Sequence, residues 1–276
     1  VWLSIGLIAI AFGIGLLILS FFTGVSWNDI PTYSMEESYE GIEGIDIQMG
    51  YGEVNIVQGN EFHVKADNMP EDGFETYVTD DRIWVIKENT EGFMNLFGLK
   101  FPISQLVWWK DDLQPEITIT VPQNFTATEF NLDLAAGDAE VEAVRANRGT
   151  FSVEAGRMEI KEITITDSAD YSVSTGEMII KEMKVNNINV DCGVGSVKME
   201  GSISGDNYVE CGVGDIDMDL TGDARDYNFN VESGIGRIKI NEDSYHSIDD
   251  RKITTEGAVN YLSLECGIGD ITVSIQ

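Results

Sequence analysis

The sequence predicts an all-β protein, a parallel β-solenoid with coils of about 19–20 residues and two short strands to a coil, preceded by one transmembrane helix. Three observations predict it. Alternating segments broken by a glycine step recur, most clearly INVDCGVGSVKM at 188–199, YVECGVGDIDMDL at 208–220, FNVESGIGRIKI at 229–240 and YLSLECGIGDITV at 261–273. Fainter copies at 45–56, 130–141, 150–160 and 170–180 keep the same phase. Residues 1–22 carry no charged side chain. A helical run of that length matches a bilayer core at about 1.5 Å per residue.

Taken in chain order, residues 1–23 read as a single-span anchor. Gly6, Ala9, Gly13 and Gly15 are small residues of the kind membrane helices tolerate. A cleaved signal peptide is the rival reading, but its apolar region is normally shorter, about 7–15 residues, and ends in an A-x-A-like site absent before Trp27. The first basic residue after the span is Lys65, so no positive charge holds the downstream side in the cytoplasm. An extracytoplasmic C-terminal domain is therefore expected. Residues 24–43, acidic and irregular with Pro31, read as a juxtamembrane linker.

Residues 44–276 form the repeat domain. With Gly52, Gly137, Gly156, Gly176, Gly195, Gly214, Gly236 and Gly269 as references, four inward columns emerge, five and three residues before and two and four after. Among them only Ser233 is plainly polar, and the residues between are mostly Asp, Glu, Ser, Asn and Lys. One buried face on each side of a glycine corner gives two strands per repeat. The spacing is nearly constant from Gly137 through Gly156, Gly176 and Gly195 to Gly214, then lengthens slightly to Gly236 and by more than half to Gly269. Repeats of this length that cannot bury themselves alone stack into a solenoid. An antiparallel meander would use the same strands without keeping phase across whole repeats.

Two segments interrupt the repeat. Residues 242–258 read as a polar loop before the last coil. Residues 60–125 carry strand patterns of their own and are expected to form a small antiparallel, sandwich-like section that caps one end, since exposed strand edges need cover. Within them, 92–109 (GFMNLFGLKFPISQLVWW) is apolar without alternation. Phe93, Phe97, Phe101, Trp108 and Trp109 there are either the inner face of the cap or an interaction surface.

Composition narrows function by exclusion. With 17 Lys plus Arg against 48 Asp plus Glu, the net charge is −31. Such a surface repels nucleic acid and anionic headgroups. Cys192, Cys211 and Cys266 are odd in number and form no C-x-x-C pair. Their column holds Met49, Leu134, Val153 and Val173, so they read as buried small hydrophobes rather than redox or metal groups. GVGDID at 212–217 fails the calcium repeat G-G-x-G-x-D in register, because Ile216 stands where the aspartate belongs. His63 and His246 stand in ordinary surface contexts. No cofactor and no metal site is expected, and no nucleophile–base arrangement supports an enzyme.

With its repeats in register the chain resembles a family of bacterial surface proteins of unknown function, often labelled "putative adhesins". The residues that carry the resemblance are the apolar span, ITITVP at 117–122 with the aromatic insertion before it, and the corners Gly137–Asp138, Gly176–Glu177, Gly214–Asp215 and Gly269–Asp270. The resemblance covers residues 40–276. It implies a membrane-anchored β-solenoid at the cell surface, with some relatives associated with cell-envelope stress systems, and it transfers no catalytic residue. The expected role is non-enzymatic: binding another envelope protein or a surface glycan, as an adhesin or an envelope-sensing module. The alternative is an enzyme acting on surface polysaccharide from the outer face of a β-helix.

Overall fold

The computed structural model describes residues 32–70, 73–88, 93–96, 99–102, 114–246 and 249–276. These lie in the unit Tyr33–Gln276, apart from Thr32. The apolar run at 1–23 lies outside the described residues. Among those described, no helix is long and apolar enough to cross a membrane.

The strands in chain order are β1 (Thr32–Tyr39), β2 (Gly44–Met49), β3 (Gly52–Gly59), β4 (Phe62–Pro70), β5 (Phe74–Val78), β6 (Ile83–Glu88), β7 (Phe93–Leu96), β8 (Leu99–Pro102) and β9 (Glu116–Pro122). Then come β10 (Ala127–Asn186), β11 (Ile188–Ser204), β12 (Asp206–Leu220), β13 (Tyr227–Ser233), β14 (Arg237–Ile240), β15 (Asp243–His246), β16 (Asp249–Ile253) and β17 (Asn260–Ile275). All but β7 and β8 belong to one 15-stranded sheet.

The repeat stacks as a parallel solenoid. β11 lies on β10 and β12 on β11 in parallel, with Gly176 level with Gly195 and Gly195 with Gly214. β10 winds three times. A methyl on Gly156 would lie 2.0 Å from the Gly137 carbonyl oxygen, and one on Gly176 2.3 Å from that of Gly156. Side chains at matching positions form ladders: Phe130 stacks on Phe151 at 5.9 Å and Phe151 on Tyr171 at 5.5 Å between ring centres. Such offset aromatic pairs add to the burial of their area.

The prediction of two strands per coil is one limb short. After Ile180 the register shifts, and pairing resumes at Met183 with Gly201 and at Val185 with Ile203. Val144 and Ala146, Ile163 and Ile165, and Met183 and Val185 are all buried. They form a third inward face. The coils are closed on three sides where two limbs alone would have left their core open.

Stack order also departs from chain order at both ends. β17, the last strand, lies between β12 and β13, with Val209 level with Leu264 and Leu264 with Val231. Asn207, fully buried, fixes this junction: its amide donates to the Gly205 and Tyr261 carbonyls at 3.0 and 2.9 Å, and its oxygen accepts from the Ile188 N–H at 3.2 Å. At the other end, β2 and β3 lie between β10 and a coil split into β6 and β9. Residues 60–125 are thus partly solenoid. Trp84, Ile86, Ile117 and Ile119 extend its core, and all four are fully buried.

Both outermost coils are covered by antiparallel strands. β5 and β4 flank β6 and β9 at one end, and β16 and β15 flank β13 and β14 at the other. Residues 242–258, expected as a polar loop, hold two of these covering strands. Residues 24–43, expected as an irregular linker, include β1, which pairs with β4. Its Tyr33, Met35 and Tyr39 pack against the core. Among the described residues the covering strands leave none of β6, β9, β13 and β14 with a bare edge, the liability of any open sheet.

Candidate functional site

Four consecutive coils in the stack carry one surface motif: DCGVG at 191–195, ECGVG at 210–214, ECGIG at 265–269 and ESGIG at 232–236. The third residue before the reference glycine points inward and the residue between the glycines points out. Across the stack Val194 is level with Val213 and Val213 with Ile268. Ile235 joins them, its N–H donating to the Gly267 carbonyl at 2.9 Å. The result is an aliphatic ridge in water: Val194, Val213 and Ile268 are 53, 46 and 53% exposed, and Ile235 is 81%. Contiguous exposed apolar surface of this kind marks interaction sites in soluble domains. The ridge is bounded, because the coil before Val194 offers Thr175 and earlier corners carry Ala155 and Ala136.

A carboxylate ladder runs beside the ridge. Asp191, Glu210, Glu265 and Glu232 are register partners in successive coils, and Glu232 is level with Asp250 of β16. Like charges directly opposite one another in a sheet are destabilising. Among the described residues no Lys, Arg or His forms an ion pair with any of these five. On the other flank stand Asp215 and Asp270, the latter accepting from Arg237 at 2.5 Å. A shallow hollow at that flank is lined by Asp215, Ile235, Gly236, Arg237, Ser244, Gly269 and Asp270. The surface is thus an apolar strip between two acidic margins.

Behind the ridge lies the cysteine column, Cys192–Cys211–Cys266, with Ser233 as its next rung. All four are buried. Burial pushes the Cys192 and Cys266 thiols up, and burial with the neighbouring thiols pushes Cys211 to about 12. These thiols stay protonated at neutral pH and so are poor nucleophiles. Among the described residues no group of three or more His, Cys, Asp or Glu is placed to hold a metal ion. What the column does is mechanical. Cys266 donates to the Gly269 carbonyl at 3.2 Å, and Ser233 donates to the Gly236 carbonyl at 2.8 Å. Each ties down the corner that carries the exposed isoleucine.

The candidate surface expected from sequence lay elsewhere. Phe93 falls on β7 and Phe101 on β8, which pair antiparallel as a separate two-stranded sheet. Phe97, Trp108 and Trp109 lie outside the described residues. The ridge was overlooked, although its signal stood in the sequence. The residue between paired glycines is Val or Ile in all four copies, each time three residues after Asp or Glu.

A family model, Toastrack DUF4097, matches residues 42–274. The chain belongs to the Toastrack DUF4097 family. The Toastrack match takes in the stack from β2 to all but the end of β17, including the covering strands at both ends. Among solved structures, the chain is similar to a "putative cell adhesion protein" from Clostridium sporogenes, at 14% identity and a TM-score of 0.32, over 89% of this chain and 100% of that one. It is also similar to a "putative adhesin" from Bacteroides fragilis, at 11% identity and a TM-score of 0.30, over 89% and 97% of the two chains. Neither likeness bears on function. No functionally curated protein matches this Toastrack chain.

Proposed function

We propose that the protein is a membrane-anchored, extracytoplasmic binding module without enzymatic activity, engaging another envelope component as an adhesin or an envelope-sensing part. The observation that carries this reading is the two-ladder surface. Four coils repeat one pair of side chains in register, and repetition of that kind suits many weak contacts along an extended partner rather than one reaction centre. The uncharged run at 1–22 supports anchoring, and the absence of basic residues between that run and Lys65 supports an outward domain.

The test uses intact cells that make the full chain. Protease added outside should remove the repeat domain, and envelope fractions passed over the immobilised full chain should leave a bound component. Protection from protease would overturn the topology. Absence of any retained component would overturn the binding role. The hollow with Asp215, Asp270 and Arg237 gives the polysaccharide-enzyme reading its best foothold, although Asp270 is already bonded to Arg237. Glycan turnover by the purified chain, lost in Asp215→Asn, would establish that reading instead.

A further inference from the structure

We propose that the ridge Val194–Val213–Ile268–Ile235 and its acidic margins form a docking site for a basic amphipathic helix of another polypeptide. This inference rests on the binding-module reading and names its site and the chemistry of its partner.

Charge selects the partner's sign. One margin offers Asp191, Glu210, Glu265 and Glu232 in successive coils, and the other offers Asp215 and Asp270. Arg237 already pairs with Asp270, and a partner with Lys or Arg beside an apolar stripe supplies the counter-charges that no described residue gives to Asp191, Glu210, Glu265 and Glu232. A second copy of this chain would bring a matching acidic face from a molecule of net charge −31, so self-pairing through this face is opposed. An anionic bilayer surface is repelled for the same reason.

Spacing selects the partner's conformation. Adjacent coils are about 4.8 Å apart, so four rungs span about 14 Å. An α-helix laid along the ridge presents its stripe about every 5.4 Å, at i, i+4, i+7 and i+11, and over three turns drifts from the rungs by only about 2 Å. An extended strand presents same-face side chains about every 6.8 Å and falls out of step after one rung. About three turns of helix therefore cover the ridge, which gives way to Thr175 beyond Val194 and has Ile235 as its last rung. The glycines on either side of each ridge residue leave the flanks low, so the aliphatic side chains stand clear to insert between helix turns.

The experiment measures binding of a fluorescent Leu/Lys peptide to the full chain in detergent by anisotropy at low salt. The peptide has leucines at i, i+4, i+7 and i+11 and lysines elsewhere. Its control has the same composition with the leucines dispersed around the helix. The striped peptide should bind, and the dispersed one should bind about tenfold more weakly. Val213→Ser with Ile268→Ser, both exposed and so compatible with folding, should weaken striped binding by about tenfold. Glu210→Gln with Glu265→Gln should weaken it and flatten its salt dependence. Thermal unfolding of each variant checks that the stack persists. Equal binding of both peptides, or indifference to both pairs of substitutions, overturns the proposal. So does a self-association or a binding to anionic vesicles that the serine pair abolishes. If the striped peptide fails to bind while the chain still retains an envelope component, the ridge assignment alone falls. If neither is bound, the binding-module reading falls with it.

Discussion

Cys211 and Cys266 are register partners in adjacent parallel strands, although residues 212–265 run between them. The chain passes this level, builds the outer coil of β13 and β14, covers it with β15 and β16, and returns to lay its last strand in the gap. That return sets the order of the four copies of the corner motif. With coils stacked in chain order, Val213 would neighbour Ile235, and Ile268 would stand at the edge of the stack.

The cysteine ladder makes a prediction about reactivity and pH. In the native protein a thiol reagent at pH 8 should label none of the three cysteines at an appreciable rate, and in denaturant it should label all three. Burial raises the Cys211 thiol from a usual value near 9 to about 12. A group raised on folding contributes stability that is complete below its unfolded value and is lost as pH rises through the folded one. Melting temperature should therefore fall between about pH 9 and pH 12, and Cys211→Val, which matches the valines of its column, should reduce that slope.

Corner glycines should differ in their tolerance of substitution. A methyl on Gly214 would lie 2.1 Å from the Gly195 carbonyl oxygen, backbone against backbone, whereas one on Gly193 would lie 3.1 Å from the Ser174 oxygen. Gly214→Ala should destabilise by well over the ~1 kcal/mol of an ordinary glycine effect, and Gly193→Ala by distinctly less. Denaturant midpoints of the two variants measure the difference.

Ser233, the plainly polar member of its inward column, is explained by its bond to the Gly236 carbonyl. Ser233→Ala should cost about 1 kcal/mol, while Ser233→Cys should cost less, because Cys266 makes the equivalent bond one coil away. Urea unfolding of the two variants separates hydrogen bonding from volume.

The outward charges of the middle coils form one small network. Glu159 accepts from Lys181 and, at 2.5 Å, from Arg157, whose Nε donates to Glu177 at 3.0 Å. The Lys181 bond, with Arg157, holds the Glu159 carboxyl below its usual range. A carboxyl lowered on folding contributes stability above its unfolded value near 4.5, lost as pH falls through the folded one. Glu159→Gln should lower stability by about 1 kcal/mol at pH 7, with the deficit closing in acid. Melting curves at pH 7 and pH 3 decide it.

Much of the fold was legible because alternation is a strong signal when one face is buried. Phe151, Val153, Met158 and Ile160 announce two limbs by period alone. The third limb follows a tight corner, and its positions include Ala146 and Gly201, too small and variable to read as a column. Stack order was not legible for a different reason. Periodicity identifies equivalent residues, such as Cys192, Cys211 and Cys266, but says nothing of which coil neighbours which. The long interval between Gly236 and Gly269 was the trace of the return. The ridge escaped notice because a single Val or Ile between glycines reads as part of a corner until neighbouring coils line it up.

Crosslinking by stack order tests the account most directly, since the order of the rungs in the candidate surface depends on the last strand lying between β12 and β13. Two double variants are compared: Val213→Cys with Ile268→Cys, and Val213→Cys with Ile235→Cys. The native thiols are buried and stay silent under mild oxidation or with a short bis-thiol reagent. The structure predicts rapid crosslinking of the 213/268 pair and little of the 213/235 pair. The reverse would mean that the coils stack in chain order, and the rung order Val194–Val213–Ile268–Ile235 would be contradicted.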